Sequence, residues 1–244
     1  MTNQLPDHCQ PINGDERFAF SCHPGVPCFT ECCRQLDLAL TPYDVLRLKN
    51  DLKLHSGAFL EKYVIVAWEE GMLFPECYLT MVDDGRASCV FVTDKGCSVY
   101  ENRPAACRAY PVGRGASRQP DGTVQEQFVL VKEPHCQGFA EDQQQTAPGY
   151  FQGQGLEEYN KYNDLIMQLL QHPKVQAGFQ PSRVQMEQYI MALYNLDMFR
   201  QEMSDGRIKM ERPLLAMELQ ALAGDDEALL ALAVNWLLQE YFGE

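Results

Sequence analysis

No stretch of about 18 consecutive apolar residues occurs in this 244-residue sequence, and its opening residues hold no basic start followed by an apolar run. We therefore expect neither a membrane-spanning helix nor an export signal, and a cytoplasmic protein. Basic residues are scarce, at 20 against 34 acidic ones, giving a formal net charge of -14. Such a surface repels phosphate backbones, which argues against nucleic acid as a partner. Gly-x-Gly-x-x-Gly, Gly-Lys-Ser/Thr and His-Glu-x-x-His motifs are all missing, and the lone Gly153-Gln154-Gly155 does not replace them. A nucleotide-dependent enzyme or a zinc protease thus has no support from motif. No internal repeat is found.

Cysteine is absent after Cys136, although the chain holds 10 of them. Reducing compartments rarely keep structural disulfides, so a cysteine set in a chain of this kind points to metal or redox chemistry. The first group is Cys22-x5-Cys28-x3-Cys32-Cys33, within a stretch bent by Pro24, Gly25 and Pro27. The second is Cys89-x7-Cys97-x9-Cys107, with Cys136 beyond it. Thiolates are soft ligands suited to zinc or to iron-sulfur irons, and either centre commonly takes four of them. Cys22, Cys28, Cys32, Cys33, Cys89, Cys97, Cys107 and Cys136 are accordingly the expected metal ligands, as two four-thiolate sites or one larger cluster.

Other readings stand beside this one. Buried cysteines can simply fill a core, but four within a short Pro- and Gly-bent loop make poor core patterning. Cys9, in a polar arm, and Cys77, in the alternating run Leu73 to Leu79, are read as bystanders. His23 and His135 adjoin cysteines and are secondary ligand candidates. Arg103 and Arg108 lie beside the thiolates and either offset their charge or pair with surface carboxylates, while Tyr100 and Tyr110 read as packing residues. No Cys-x2-Cys zinc knuckle and no ferredoxin spacing occurs. Apolar neighbours such as Phe29, Val90 and Phe91 tilt the reading toward an iron-sulfur centre over zinc. The side chains of Cys32 and Cys33 are expected to serve different irons or different sites.

The expected fold class is α+β: an irregular cysteine-rich domain with short strands and helices, followed by an all-helical C-terminal region. Residues 1–20 read as an arm, 21–140 as the cysteine domain, 141–155 as a linker or long loop, and 156–244 as helical. Thr41-Pro42-Tyr43-Asp44 has the form of a helix start running to about Leu54, and Ser56 that of a cap for a second helix through Val66. Strands are expected within Met72 to Val82, Ser88 to Val92 and Val124 to Val131, between Asp- and Gly-containing turns. Leu156 to Leu170, Ser182 to Met203 and Asp225 to Phe242 carry apolar residues at helical spacing, with Leu165, Ile166, Leu169, Leu193, Leu196 and Phe199 as core. These C-terminal helices are the surface expected to receive a protein partner, if there is one.

The cysteine segments also carry a resemblance. Cys28-Phe29-Thr30-Glu31-Cys32-Cys33, Leu40-Thr41-Pro42-Tyr43-Asp44, Cys89-Val90-Phe91, Cys97 with Arg103-Pro104, and Cys107-Arg108-Ala109-Tyr110-Pro111 together resemble the YkgJ family. That family is regarded as a set of zinc- or iron-chelating domains, and flagellin lysine-N-methylase contains a similar cluster. The common opening Cys-x2-Cys-x2-Cys-Cys is here Cys-x5-Cys-x3-Cys-Cys, which sets Cys22 apart from Cys28, Cys32 and Cys33. The resemblance implies metal chelation for electron transfer or metal handling. A structural zinc protein and a protein-modifying enzyme carrying a metal cluster are the alternatives, so catalysis stays open.

Overall fold

The computed structural model describes residues 5–68 and 71–243. It is mixed, with helices and small antiparallel sheets, and divides into two compact units. One comprises residues 1–38 and 80–160, the other residues 39–79 and 161–244. Each is assembled from separate stretches of chain, so the units cut across the continuous segments expected from sequence. No described helix is long and apolar enough to cross a membrane.

The first unit is organised by a three-stranded antiparallel sheet in the order Cys9–Ile12, Val124–Val131, Val112–Arg118. Val112 lies opposite Leu130 and Arg118 opposite Val124, so the hairpin closes through residues 119–123. Asp121 makes that turn locally, its side chain accepting from the Thr123 amide at 2.9 Å while Gly122 takes a φ of 85°. A second ladder joins Arg17–Ala19 to Gln144–Thr146, and Thr146 caps the helix Ala147–Gly153 by accepting from the Gly149 amide at 3.3 Å. Pro148 stands in the first turn of that helix, where a missing N–H costs nothing. Residues read as a polar arm and as a linker therefore contain strands and a helix. Their anchors are isolated aromatics: Phe20 is 2% exposed and meets Tyr110, Phe139 and Tyr150 edge-on.

In the second unit, Thr41 and Asp44 form a reciprocal cap at the start of Pro42–Asp51, with N···O distances of 3.2 and 2.8 Å. Ser56 opens the helix Ser56–Tyr63 from inside, His55 being the cap residue, and the chain turns into a strand, Val64–Ala67, where the helix was expected to continue. That strand pairs with Glu76–Leu79, which in turn pairs with Ala39–Leu40. All elements from Glu157 onward are helical. Ser182 and Asp225 cap their helices as expected, each side chain accepting a backbone N–H. The stretch from Ser182 to Met203, expected as one helix, is two, Arg183–Leu193 and Leu196–Ser204. Asn195 breaks it because its side-chain oxygen accepts from the Ser56 hydroxyl at 2.8 Å, and Asp197 accepts from the Ser56 amide at 2.7 Å. Leu193, Leu196 and Phe199 are buried against the core together with Leu229, Leu230 and Leu237 of Asp226–Phe242.

Lys49, 5% exposed, is held by Asp226 at 2.7 Å and Asp197 at 3.4 Å. Arg200 joins the same two carboxylates, at 2.6 Å from Asp197. Burial alone raises both carboxyls; the Ser56 N–H and Lys49 outweigh it at Asp197, as Lys49 and Arg200 do at Asp226, so both pKa values end below the usual aspartate range. Groups with depressed folded pKa values stabilise the fold above their unfolded values and lose that contribution as pH falls through the folded ones. Denaturant unfolding of the second unit should therefore weaken as pH drops from about 4 downward. Asp226→Asn should lower stability at pH 7 and reduce this acid dependence, as urea midpoints followed by far-ultraviolet circular dichroism at each pH will show.

Candidate metal centre

The first cysteine group sits on consecutive tight turns rather than on a regular element. Val26 N–H donates to His23 O, Phe29 to Val26 O, Glu31 to Cys28 O, and Cys33 to Thr30 O, all at 2.9 to 3.0 Å. Pro and Gly in this loop make such a chain of turns possible. The Arg34 guanidinium ties off the end by donating to Thr30 O at 2.5 Å. Cys32 and Cys33 share the short 3-10 turn Glu31–Cys33, and Cys33 pushes the Cys32 thiol up.

Cys136, far away in sequence, is brought to this loop by backbone contacts. Ser21 N–H donates to Gly138 O at 3.0 Å, and Gln137 N–H donates to the Cys28 sulfur at 3.2 Å. Gly138 is required here, since a Cβ would lie 2.6 Å from the Phe20 ring and 2.9 Å from Ser21 O. The Cys22 thiol lies in the electrostatic field of Cys32, Cys28 and Cys136, and Cys136 in that of Cys28 and Cys32. Cys22, Cys28, Cys32 and Cys136 thus lie near enough to influence one another electrostatically.

The second group approaches the same loop from another side. Arg34 forms a β-bridge with Ser88, and Gln35 N–H donates to Ala87 O at 2.9 Å, which sets Cys89 beside the Cys32-Cys33 turn along the chain. Cys89 and Cys97 influence each other electrostatically, Cys97 lying opposite Val92 in a small hairpin. Phe29 packs on that hairpin, its ring 3.2 Å from where a Gly96 Cβ would stand. Cys107 is on the short helix Ala105–Ala109 and is exposed. Cys9 lies in the first sheet, and Cys77 is fully buried within Glu76–Leu79 in the other unit. His23 is engaged by its own loop, Nδ1 accepting from Gly25 N–H at 3.1 Å and Nε2 standing 3.4 Å from Glu141; His135 Nε2 is 3.6 Å from Glu133.

Among the described residues no three ligating groups are already arranged around a single point. The donor set nevertheless fits a soft cation. Burial pushes the Cys22 thiol up to about 11, with Cys32, Cys28 and Cys136 adding to it and Arg103 opposing; Cys32 is raised by its bond to Cys33 and then by burial. Protonated thiols hold one another apart less than thiolates would, and only a cation at their centre makes four adjacent thiolates favourable. The Tyr110 hydroxyl is buried without a hydrogen-bond partner among the described residues, and burial, then Cys136 and Glu133, push its pKa up. It is a ready donor to a thiolate. Loading metal must then release protons, and affinity must rise with pH. Acid release in weakly buffered solution during zinc titration, nearly the same at pH 8 and pH 6.5 because the raised thiols are protonated at both, is the expected result.

The two arginines differ. Arg108 donates from Nε to Arg103 O at 3.1 Å, from Nη1 to Gln154 O at 2.7 Å and from Nη2 to Glu101 O, and lies 4.9 Å from the Tyr159 ring centre. It is a clamp on backbone carbonyls. Arg103 lies 3.9 Å from the centre of the exposed Tyr100 ring and acts on the Cys22 thiol. Neither is paired with a carboxylate among the described residues. Sequence treated Tyr110 as packing only; the Arg-Pro-x-x-Cys-Arg-Ala-Tyr run was the signal that placed it next to the thiols.

No curated protein and no solved structure matches the chain. The family model CxxCxxCC, described as a zinc- or iron-chelating domain, matches residues 21–137. Its limits enclose every cysteine of the two groups, from Cys22 to Cys136. Residues 21–137 of this chain thus match the model of a zinc- or iron-chelating domain of the YkgJ type.

Proposed function

We propose that this domain binds iron as an iron-sulfur cluster, or zinc, through cysteine thiolates, and serves electron transfer or metal handling. Cys22, Cys28, Cys32 and Cys136 form the first ligand set. Cys33, Cys89, Cys97 and Cys107 supply the second, next to it. The observation that carries this is the convergence of the Cys22 to Cys32 loop and Cys136 through the Ser21–Gly138 and Gln137–Cys28 hydrogen bonds. Bringing together thiols so remote in the chain has no purpose for packing, since Cys22 is exposed and the others are only partly buried. Shielding by Phe29 and Phe91 and the absence of a Cys-x2-Cys knuckle favour iron-sulfur over zinc.

Anaerobic purification followed by iron, zinc and acid-labile sulfide analysis tests the reading. Iron with sulfide and a visible absorption identifies a cluster, and zinc alone identifies a structural or handling site. Neither metal, with all thiols free, contradicts it. Because ligation exists only in the native state, metal removal should also destabilise the first unit by its binding free energy. Limited proteolysis after chelation should cut within residues 21–38 and 80–137 and spare residues 39–79 and the helices of 161–244.

A further inference from the structure

Among the described residues, those other than glycine with a left-handed backbone are Thr30, Gln35, Lys53 and Ala87, at φ of 70°, 54°, 54° and 47°. Such backbone is unfavourable, persists only where surrounding contacts hold it, and gathers at functional sites. Three of the four stand where the two cysteine groups are joined, Thr30 and Gln35 on either side of the Cys32-Cys33 turn and Ala87 two residues before Cys89. Gln35 N–H donates to Ala87 O at 2.9 Å, and Arg34 bridges Ser88. Asp84 builds the turn that carries Ala87, its side chain accepting from the Arg86 amide at 2.9 Å and the Ser88 amide at 3.3 Å. This turn brings Arg86 to the first group, where Nη2 lies 3.0 and 2.8 Å from the two carboxylate oxygens of Glu31, the residue before Cys32. One thiol of each group already accepts a backbone N–H, Cys28 from Gln137 at 3.2 Å and Cys89 from Phe91 at 3.5 Å.

We infer that Glu31 and Arg86 are positioning residues, a clasp that holds the Cys89 segment against the Cys32-Cys33 turn so that both thiol groups reach metal together. The inference rests on the metal-binding reading. Both side chains are about half exposed, at 43% and 54%, and such a pair contributes little to folding stability. Its effect falls instead on ligation, because a segment already docked does not have to be ordered when metal arrives. The contact of one guanidinium nitrogen with both carboxylate oxygens fixes the direction of Glu31 as well as its distance, and with it the start of the Glu31–Cys33 turn.

Cobalt(II) is the probe, titrated anaerobically into the metal-free full-length chain, with affinity measured by chelator competition and ligation by sulfur-to-cobalt charge-transfer absorption. Arg86→Gln and Glu31→Gln should each bind cobalt about 2- to 5-fold more weakly, the range open to an exposed ion pair. The double variant should bind no more weakly than either single one, since one interaction is removed in all three. Arg86→Lys, which keeps the charge, should recover part of the loss. At about 1 M salt, parent and variants should bind alike, because an exposed pair is screened. Metal-free Arg86→Gln should unfold thermally like the parent. Parental affinity in both single variants, or additive losses in the double variant, would overturn the clasp while leaving the metal reading intact. Losses of the same size at 1 M salt would also overturn it, as a purely structural effect. No thiolate-to-cobalt band in the parent protein would remove both.

Discussion

Cys28→Ser and Cys32→Ser should each lose more metal affinity than the roughly 10- to 100-fold expected from losing a neighbour of a ligand, because a ligand itself is removed. A neutral hydroxyl is a poor donor for a soft site, and at Cys28 the Gln137 N–H would keep its acceptor while the metal lost its sulfur. Cys77→Ser is the control. That thiol is fully buried in the second unit, so serine there should cost about 1–3 kcal/mol in stability through a buried hydroxyl, with metal content unchanged. Metal per chain and urea midpoints on the same anaerobic preparations separate the two effects. Equal metal loss in the Cys77 and Cys28 variants would contradict the assignment of ligands.

Arg108→Met should produce the largest loss of stability in the first unit among non-cysteine changes. It strands the carbonyls of Arg103, Glu101 and Gln154, each at about 1 kcal/mol or more, for a total of about 3 kcal/mol. Methionine retains much of the stem that lies toward Tyr159, so the loss reports the carbonyl bonds rather than a cavity. Denaturant unfolding with and without metal gives the measurement. A midpoint equal to that of the parent would show that the clamp is dispensable.

Signals confined to a few neighbouring residues were legible in the sequence. Thr41 with Asp44, Ser182 and Asp225 are caps whose partners lie three residues away, and the Val124–Val131 strand was read with its limits intact. Elements that depend on distant partners were not. Cys9–Ile12 is a strand because Val131 to Phe128 pair with it, and its own composition, with Pro11, argues for an arm. The helix expected through Val66 ends at Tyr63 because Val64 to Ala67 find a ladder with Glu76 to Leu79. Asn195 breaks a helical pattern for the sake of Ser56, far off in the chain.

The centre divides in the same manner. The paired cysteines, the bent loop and the Arg-Pro-x-x-Cys-Arg segment were visible, and with them the eight expected ligands. Which of the eight face one another depends on Ser21, Gln137 and Gly138, which carry no signature of their own. The roles of Arg103 and Arg108 were interchangeable in sequence. They separate only once Arg108 is seen to donate to three carbonyls and Arg103 to stack on Tyr100 and donate to Tyr100 O and Gln154 Oε1.

Differential alkylation tests the central claim most directly. The protein, purified anaerobically with its metal, is treated with one alkylating reagent, then unfolded with chelator and treated with a second, and each cysteine is assigned by peptide mass spectrometry. The account predicts that Cys22, though exposed, is protected together with Cys28, Cys32 and Cys136, and becomes reactive when metal is removed. Rapid first-stage labelling of Cys22 and Cys136 in protein that still holds its metal would contradict it.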